Sequence, residues 1–159
     1  MYKYSIFLIT VALTVVAHAA SFEDDCTEFG AELQSLDCES GLVELMGFIK
    51  NSASTLNELD KTQATSFLEA LEAGETLVIK CLGKYSEDRV LNEPMNGLLT
   101  AYVKFQSLVY YRVNGEYWNQ DHIAQLVQAQ SELIRSFPLA IAETYNKSLN
   151  TDTGDAGAG

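Results

Sequence analysis

The stretch FLEALEAGETLVIKC, residues 67–81, has an apolar or small side chain at alternating spacings of four and three residues. These positions are Phe67, Leu71, Gly74, Val78 and Cys81. Such spacings keep side chains on one face of an α-helix, because the helix completes a turn about every 3.6 residues. The stretch therefore predicts an amphipathic helix with one face buried against the rest of the protein.

The same periodicity continues on both sides of this stretch. It covers residues 22–36 and 42–56 before it, and residues 98–109 and 123–141 after it. No tract of alternating β-branched residues is long enough to predict a strand. We therefore predict an all-α protein, a compact bundle of about five amphipathic helices joined by short connections.

Polar residues predict where two of these helices begin. Asp60 or Thr62 is placed to cap the helix that contains residues 67–81, and Asn119 is placed to cap the last helix. Pro138 interrupts the last apolar face because proline lacks a backbone amide hydrogen. The last helix therefore either kinks at Pro138 or restarts with Ser136 as its cap.

The first residues have the composition of a secretory signal peptide. Lys3 precedes an uncharged run over residues 4–17, and the small residues of Ala17-His18-Ala19 come before the acidic sequence SFEDD. This order is typical of a cleaved signal, and the run is shorter than the roughly 20 apolar residues of a membrane anchor. We expect residues 1–19 to be a signal peptide, residues 20–149 the bundle domain and residues 150–159 a disordered acidic tail rich in glycine.

The charge of the chain limits its partners. It has 10 basic and 22 acidic residues, and loss of Lys3 with the signal leaves 9 against 22, a net charge of −13. Nucleic acids and anionic membranes are bound through lysine and arginine, so an acidic chain is repelled by both. We therefore expect no nucleic-acid partner and no membrane contact after cleavage, whereas a basic protein partner is compatible with the charge.

Three cysteines, Cys26, Cys38 and Cys81, remain in the mature chain. In a secreted protein an odd number predicts one disulfide and either an inert thiol or a covalent dimer. On one continuous helix Cys26 and Cys38 would be about 18 Å apart. A disulfide needs Cα atoms within about 7 Å, so these two could pair only if the chain turns between them. We therefore predict that Cys81 is joined to Cys26 or to Cys38.

The residues offer little catalytic chemistry. Once His18 is removed with the signal, His122 is the only histidine, and no nucleophile motif accompanies it. The cysteine spacing does not suit zinc, the acidic clusters do not suit calcium, and no phosphate-binding glycine loop is present. We therefore expect no metal, no cofactor and no enzymatic activity, and a hydrolase with paired carboxylates remains a third hypothesis.

Aromatic residues are concentrated between positions 102 and 118. Tyr102 and Phe105 fit the apolar face of their helix, but four further rings cannot all share that face, namely those of Tyr110, Tyr111, Tyr117 and Trp118. Exposed tyrosine and tryptophan are enriched in binding surfaces. We expect these four residues to bind an extracellular protein partner, the alternative being that they only brace a turn between two helices.

A second hypothesis places function in the core. A glycine such as Gly74 on an apolar helix face permits either close packing or space for a ligand. With Tyr102 and Gln130 on neighbouring faces, the core could hold a cavity with a polar anchor, and the protein would carry a small apolar molecule. Asn146 begins the sequence Asn-Lys-Ser, an acceptor for N-glycosylation in a secreted chain.

Overall fold

A computed structural model describes residues 21–84 and 93–155, with side chains described as far as Leu149. The predicted signal peptide and the last four residues of the predicted tail lie outside the described residues. Within these ranges the structure has no strand and six helices: α1 Phe22–Leu33, α2 Cys38–Asn51, α3 Ala53–Leu56, α4 Lys61–Lys84, α5 Glu93–Asn114 and α6 Gln120–Asp155. The predicted all-α bundle is confirmed.

The apolar segment at residues 42–56 forms two helices instead of one. Helix α2 ends at Asn51, and the single turn of α3 follows Ser52. The hydroxyl of Ser52 donates a 2.6 Å hydrogen bond to the carbonyl oxygen of Ile49. Ser52 is buried, so this bond satisfies polar atoms where the backbone changes direction.

The helix caps follow the polar residues of the sequence. Asp60 accepts a 2.7 Å hydrogen bond from the Gln63 amide, and the Gln63 side chain accepts one from the Asp60 amide at 3.2 Å. This reciprocal pair is a capping box at the start of α4. Asn119 Oδ1 accepts from the amides of Asp121 and His122, and it caps α6 as predicted.

Helix α6 passes through Pro138 without interruption. The Ser136 hydroxyl donates to the Glu132 carbonyl at 2.9 Å, as a serine inside a helix does, so it does not cap a restarted helix. The helix also extends to Asp155, which lies in the segment predicted to be a disordered tail.

The long helices alternate in direction along most of the chain. Phe67 of α4 packs edge-on against Phe105 of α5, and farther along α4 the carbonyl of Leu71 receives a hydrogen bond from Tyr102, which lies earlier in α5. These contacts show that α4 and α5 are antiparallel. Helix α6 then runs back along α5, and it also packs against α2.

The disulfide joins Cys38 to Cys81, with Cα atoms 5.5 Å apart. It ties the first residue of α2 to the last turn of α4. Cys26 remains a free thiol and is fully buried. Helix α1 runs parallel to α4, with Phe22 against Phe67 and Gly30 beside Ala70 and Ala73, so Cys26 lies beside the first half of α4 and away from Cys81. Of the two partners that the sequence left open, Cys38 is the bonded one.

The core consists of apolar side chains from all six helices. Its largest fully buried members include Tyr102, Phe67, Phe105, Phe137, Leu42 and Leu45. In the ranges described, no helix is both long enough and apolar enough to span a membrane.

Candidate binding site at the corner between α5 and α6

The connection from α5 to α6 is a short turn built around Gly115. The Gly115 amide donates a 2.7 Å hydrogen bond to the carbonyl of Tyr111. A Cβ atom at Gly115 would lie 2.6 Å from that carbonyl oxygen and 2.9 Å from the Tyr111 ring. Glycine is therefore needed here because the chain folds back directly over Tyr111.

Three rings stack at this corner. The His122 ring contacts both of the others, with its centroid 5.0 Å from that of Tyr111 and 5.4 Å from that of Trp118. The interplanar angles are 25° and 17°. The Asn119 amide donates a 3.3 Å hydrogen bond to Nδ1 of His122, which fixes the orientation of the imidazole. The stack is therefore held by both the turn and the start of α6.

Arg112 connects the corner to the segment that precedes α4. Its Nε donates a 2.7 Å hydrogen bond to the carbonyl of Leu59, in the connection before α4. Its guanidinium carbon lies 5.5 Å from the centroid of the Trp118 ring, within the range of a cation–π interaction. Trp118 thus contacts both a cation and an imidazole.

The four predicted binding residues do not all come together. Tyr111 and Trp118 share the stack, with centroids 6.5 Å apart. Tyr117 lies in the turn and is 74% exposed. Tyr110 lines a separate small groove with Leu68 and Glu72 of α4. The structure therefore divides the predicted surface into a main cluster of three residues and a peripheral Tyr110.

An open groove of about 600 Å³ adjoins the ring stack between α5 and α6. Its lining combines aromatic, apolar and amide side chains: Lys104, Ser107, Leu108 and Tyr111 of α5, and His122, Gln125 and Gln128 of α6. Lys104 Nζ contacts Glu132 at 2.7 Å along one edge. Chiefly through this hydrogen bond, Lys104 holds the pKa of the Glu132 carboxyl below its usual value.

From the sequence we did not single out Lys104, Ser107 or Leu108 of the groove, and we did not predict the stacking of His122. His122 is half-buried in the first turn of α6, where its ring stacks on two others. A signal was present, because Lys104, Ser107, Leu108 and Tyr111 recur at helical spacing on one side of α5. That side of α5 differs from the buried side, which carries Tyr102 and Phe105.

The three residues of the proposed core cavity are in close contact with their neighbours. The Tyr102 hydroxyl donates a 2.6 Å hydrogen bond to the carbonyl of Leu71. A Cβ atom at Gly74 would overlap that hydroxyl and would lie 2.7 Å from Cδ1 of Leu45. Gln130 Nε2 donates a 2.7 Å hydrogen bond to the Ile49 carbonyl. Around Gly74 the Tyr102 side chain occupies the space that a ligand would need.

In the part of the chain that the structure describes, no group of three or more His, Cys, Asp or Glu side chains could hold a metal ion. Asn146 is exposed on α6, and the Ser148 hydroxyl of the same acceptor sequence donates to the Tyr145 carbonyl at 2.8 Å.

No protein-family model matches the chain, and comparisons with curated proteins and with solved structures found no match either. Function is therefore inferred from the residues themselves, above all from those of the corner.

Proposed function

We propose that the chain is a secreted, non-enzymatic protein that binds an extracellular protein partner. We name as the corner surface Tyr111, Tyr117, Trp118, His122 and the adjoining groove, with Tyr110 at its edge. The observation that carries the proposal is the distribution of exposed aromatic side chains. In the described residues three of the four exposed tyrosines, Tyr110, Tyr111 and Tyr117, lie at this corner.

The rigidity of the corner supports a binding role. Exposed side chains usually lose conformational freedom when a partner binds, and this loss opposes association. Tyr111 and Trp118 are already held by the His122 ring, and Arg112 contacts the Trp118 ring. Tyrosine and tryptophan that are fixed before binding supply contact area at a low entropic cost, which is typical of binding hot spots.

The charges at the corner indicate the kind of partner. Glu116 and Asp121 are exposed beside the ring stack. Arg112 offsets one of these two charges, and the Lys104 charge is opposed by Glu132 at 2.7 Å. The local excess is therefore negative, in line with the net charge of −12 for the whole chain. A complementary partner would carry lysine or arginine around an apolar patch, and charge attraction would speed its association at low salt.

Secretion is part of the same proposal. A leader with the composition of a signal peptide supports it, and so does the Cys38–Cys81 bond, because disulfides persist in oxidising compartments. In such a compartment the exposed Asn146 would be a glycosylation site. Native mass spectrometry of the chain secreted by animal cells would show a mass that begins at residue 20 and an added glycan on Asn146. Full-length, unglycosylated chain retained in the cells would contradict secretion.

Partner binding is tested with a panel of extracellular domains. The wild-type chain and a Tyr111→Ala, Tyr117→Ala double variant are compared for binding to each domain. Removal of two hot-spot rings is expected to weaken any specific binding about 30-fold or more, since each ring contributes about 1 kcal/mol or more. The matched control is an Ile79→Ala, Val103→Ala double variant, which removes exposed apolar side chains elsewhere and should bind like the wild type.

Two results would contradict the proposal. One is binding that the corner variant retains in full, and the other is a stoichiometric small molecule in the native mass spectrum of the secreted chain. The second result would favour a carrier of apolar ligands. The contacts of Tyr102 with Gly74 and Leu71 do not favour that function.

A further inference from the structure

A second groove, of about 710 Å³, lies between α2 and the second half of α6, away from the corner. Its apolar lining is formed by Val43, Met46, Pro138, Ile141, Ala142 and Tyr145, which we name the α2–α6 face. Two of these side chains are well exposed, with Val43 at 46% and Tyr145 at 56%. The face is thus an apolar surface on two packed helices.

The sequence of α6 extends this surface as a stripe. Pro138, Ala142, Tyr145 and Leu149 follow one another at spacings of four, three and four residues, and Leu149 is 47% exposed. That spacing is typical of the seam by which one helix packs against another. On the inner side of the same helix, Phe137 and Ala140 are fully buried. Helix α6 therefore has two apolar faces, one in the core and one at the surface.

The charge around the α2–α6 face differs from that of the rest of the chain. Residues 39–50 contain two acids and one base, and residues 133–149 contain one acid and two bases, so the sum is zero. By contrast, α1 alone carries five acids and no base: Glu23, Asp24, Asp25, Glu28 and Glu32. A neutral face on an acidic chain can meet a second copy of itself without local repulsion.

The charges on this face are also separated along its length. Helices α2 and α6 are antiparallel, since Ile49 near the end of α2 meets Gln130 in α6, whereas Val43 lies near Ile141. Lys50 and Arg135 are therefore at one end of the face. Glu39 and Glu44 line the groove toward the other end, where Lys147 lies 3.4 Å from Glu143. A two-fold rotation about the middle of the face places the acidic end of one copy against the basic end of the other.

We propose that two copies of the chain associate through the α2–α6 face as an antiparallel, two-fold symmetric dimer. Val43 and Tyr145 of each copy supply the apolar centre, and Glu39 of one copy faces Arg135 of the other. A face formed by two helices is expected to bury about 1,200 Å² or less, at the weak end of protein–protein interfaces, so we expect dissociation in the micromolar range. The dimer does not depend on the proposed partner, although it would present two corner surfaces at once.

Sedimentation velocity over about 1 to 200 μM tests the dimer, since this range brackets a micromolar dissociation constant. All chains carry Asn146→Gln so that a glycan does not alter the mass. The parent chain is expected to convert from monomer to dimer with concentration and to run as a monomer on a non-reducing denaturing gel. Val43→Glu and Tyr145→Glu should each leave a monomer throughout, whereas Ile79→Glu, at a position of similar exposure on α4, should dimerise like the parent.

Exchange of the charges at positions 39 and 135 tests whether the two copies are antiparallel. Arg135→Glu is expected to weaken the dimer about tenfold, and the double variant Arg135→Glu, Glu39→Lys should return it to within about threefold of the parent. Thermal unfolding at low concentration must be cooperative for every variant. A parent chain that is monomeric at all concentrations would overturn the proposal, as would a dimer that persists in both Val43→Glu and Tyr145→Glu. A charge exchange that fails to restore affinity would overturn the antiparallel arrangement.

Discussion

The hydroxyl of Tyr102 lies directly over Gly74 while it donates a 2.6 Å hydrogen bond to the Leu71 carbonyl. Tyr102 belongs to α5, and the two residues that it contacts belong to α4. Burial of its hydroxyl raises the pKa of Tyr102 well above its ordinary value, so the proton remains available for this bond. A glycine within α4 is therefore a condition for the close approach of α5.

Replacement of Gly74 should show that the close packing of α5 on α4 requires a glycine at this position. Gly74→Ala is expected to destabilise the fold by about 1–2 kcal/mol, because overpacking outweighs the better helix propensity of alanine. Tyr102→Phe should cost about 1 kcal/mol through the lost hydrogen bond. In the Tyr102→Phe background the cost of Gly74→Ala should fall by about 1 kcal/mol, since the overlapping hydroxyl is gone. Urea unfolding of the four proteins measures this coupling.

Gly47 in α2 provides the control for this cycle. A Cβ atom there would meet no side chain within 4 Å. Gly47→Ala should therefore stabilise the protein by up to about 1 kcal/mol. If Gly47→Ala and Gly74→Ala changed the free energy of unfolding by the same amount, the close approach of Tyr102 would not be needed for stability.

Gln130 makes the principal polar contact between α6 and α2. Its side chain is buried and donates to the Ile49 carbonyl at 2.7 Å. Gln130→Met keeps the length of the side chain but loses this bond, and it should cost about 1–2 kcal/mol in urea unfolding. Gln125→Met, on the exposed side of the same helix, should change stability by less than about 0.5 kcal/mol. Similar losses at both positions would argue against the buried contact.

Removal of the disulfide should have the largest effect on stability. The bond between Cys38 and Cys81 closes a loop with a sequence separation of 43. Its loss in Cys81→Ser should lower the free energy of unfolding by about 4 kcal/mol in the loop-entropy account. Cys38→Ser and the double variant should match it, because each removes the same bond. Peptide mapping without reductant should find the bond intact in Cys26→Ser, and its absence there would contradict the pairing.

The Cys26 thiol should be inert in the folded protein. It is fully buried, and burial, followed by the charges of Asp25 and Glu23, raises its pKa from 9.0 to about 12. A thiol reagent at pH 8 should therefore modify no cysteine until denaturant is added, and then one per chain. Rapid modification of the native chain would show that Cys26 is accessible. A covalent dimer through Cys26 would then again be a valid hypothesis.

Because folding raises the pKa of Cys26, the free energy of unfolding should fall at alkaline pH. A thiol whose folded pKa is raised stabilises the fold fully below pH 9.0, and this contribution is lost as the pH rises toward about 12. The advantage of the wild type over Cys26→Ala should therefore narrow between pH 8 and about pH 10.5 in urea unfolding. A constant difference would mean that the folded chain does not disfavour the Cys26 thiolate.

The periodicity of apolar residues predicted the bundle because these residues mark the buried face of each helix, as Phe67, Leu71 and Val78 do in α4. The partner of Cys81 was not decided by the sequence, because it depends on α1 running parallel to α4 and on the turn before Cys38. The corner was predicted in part. Tyr111 and Trp118 stood out because they did not fit a core face, whereas the stacking of His122 depends on how α5 and α6 meet.

Hydroxyl-radical footprinting of the chain, alone and with an extracellular domain selected by the panel, tests the corner surface most directly. The four tyrosines that are exposed in the described ranges act as internal probes, and Trp118 is the single tryptophan of the chain. Bound partner is expected to lower the oxidation of Tyr111, Tyr117 and Trp118 at least about threefold, as expected for side chains buried at the centre of an interface. Oxidation of Tyr145, on the α2–α6 face, should stay unchanged. Protection of Tyr145 with no change at Tyr111, Tyr117 and Trp118 would contradict the proposed binding site.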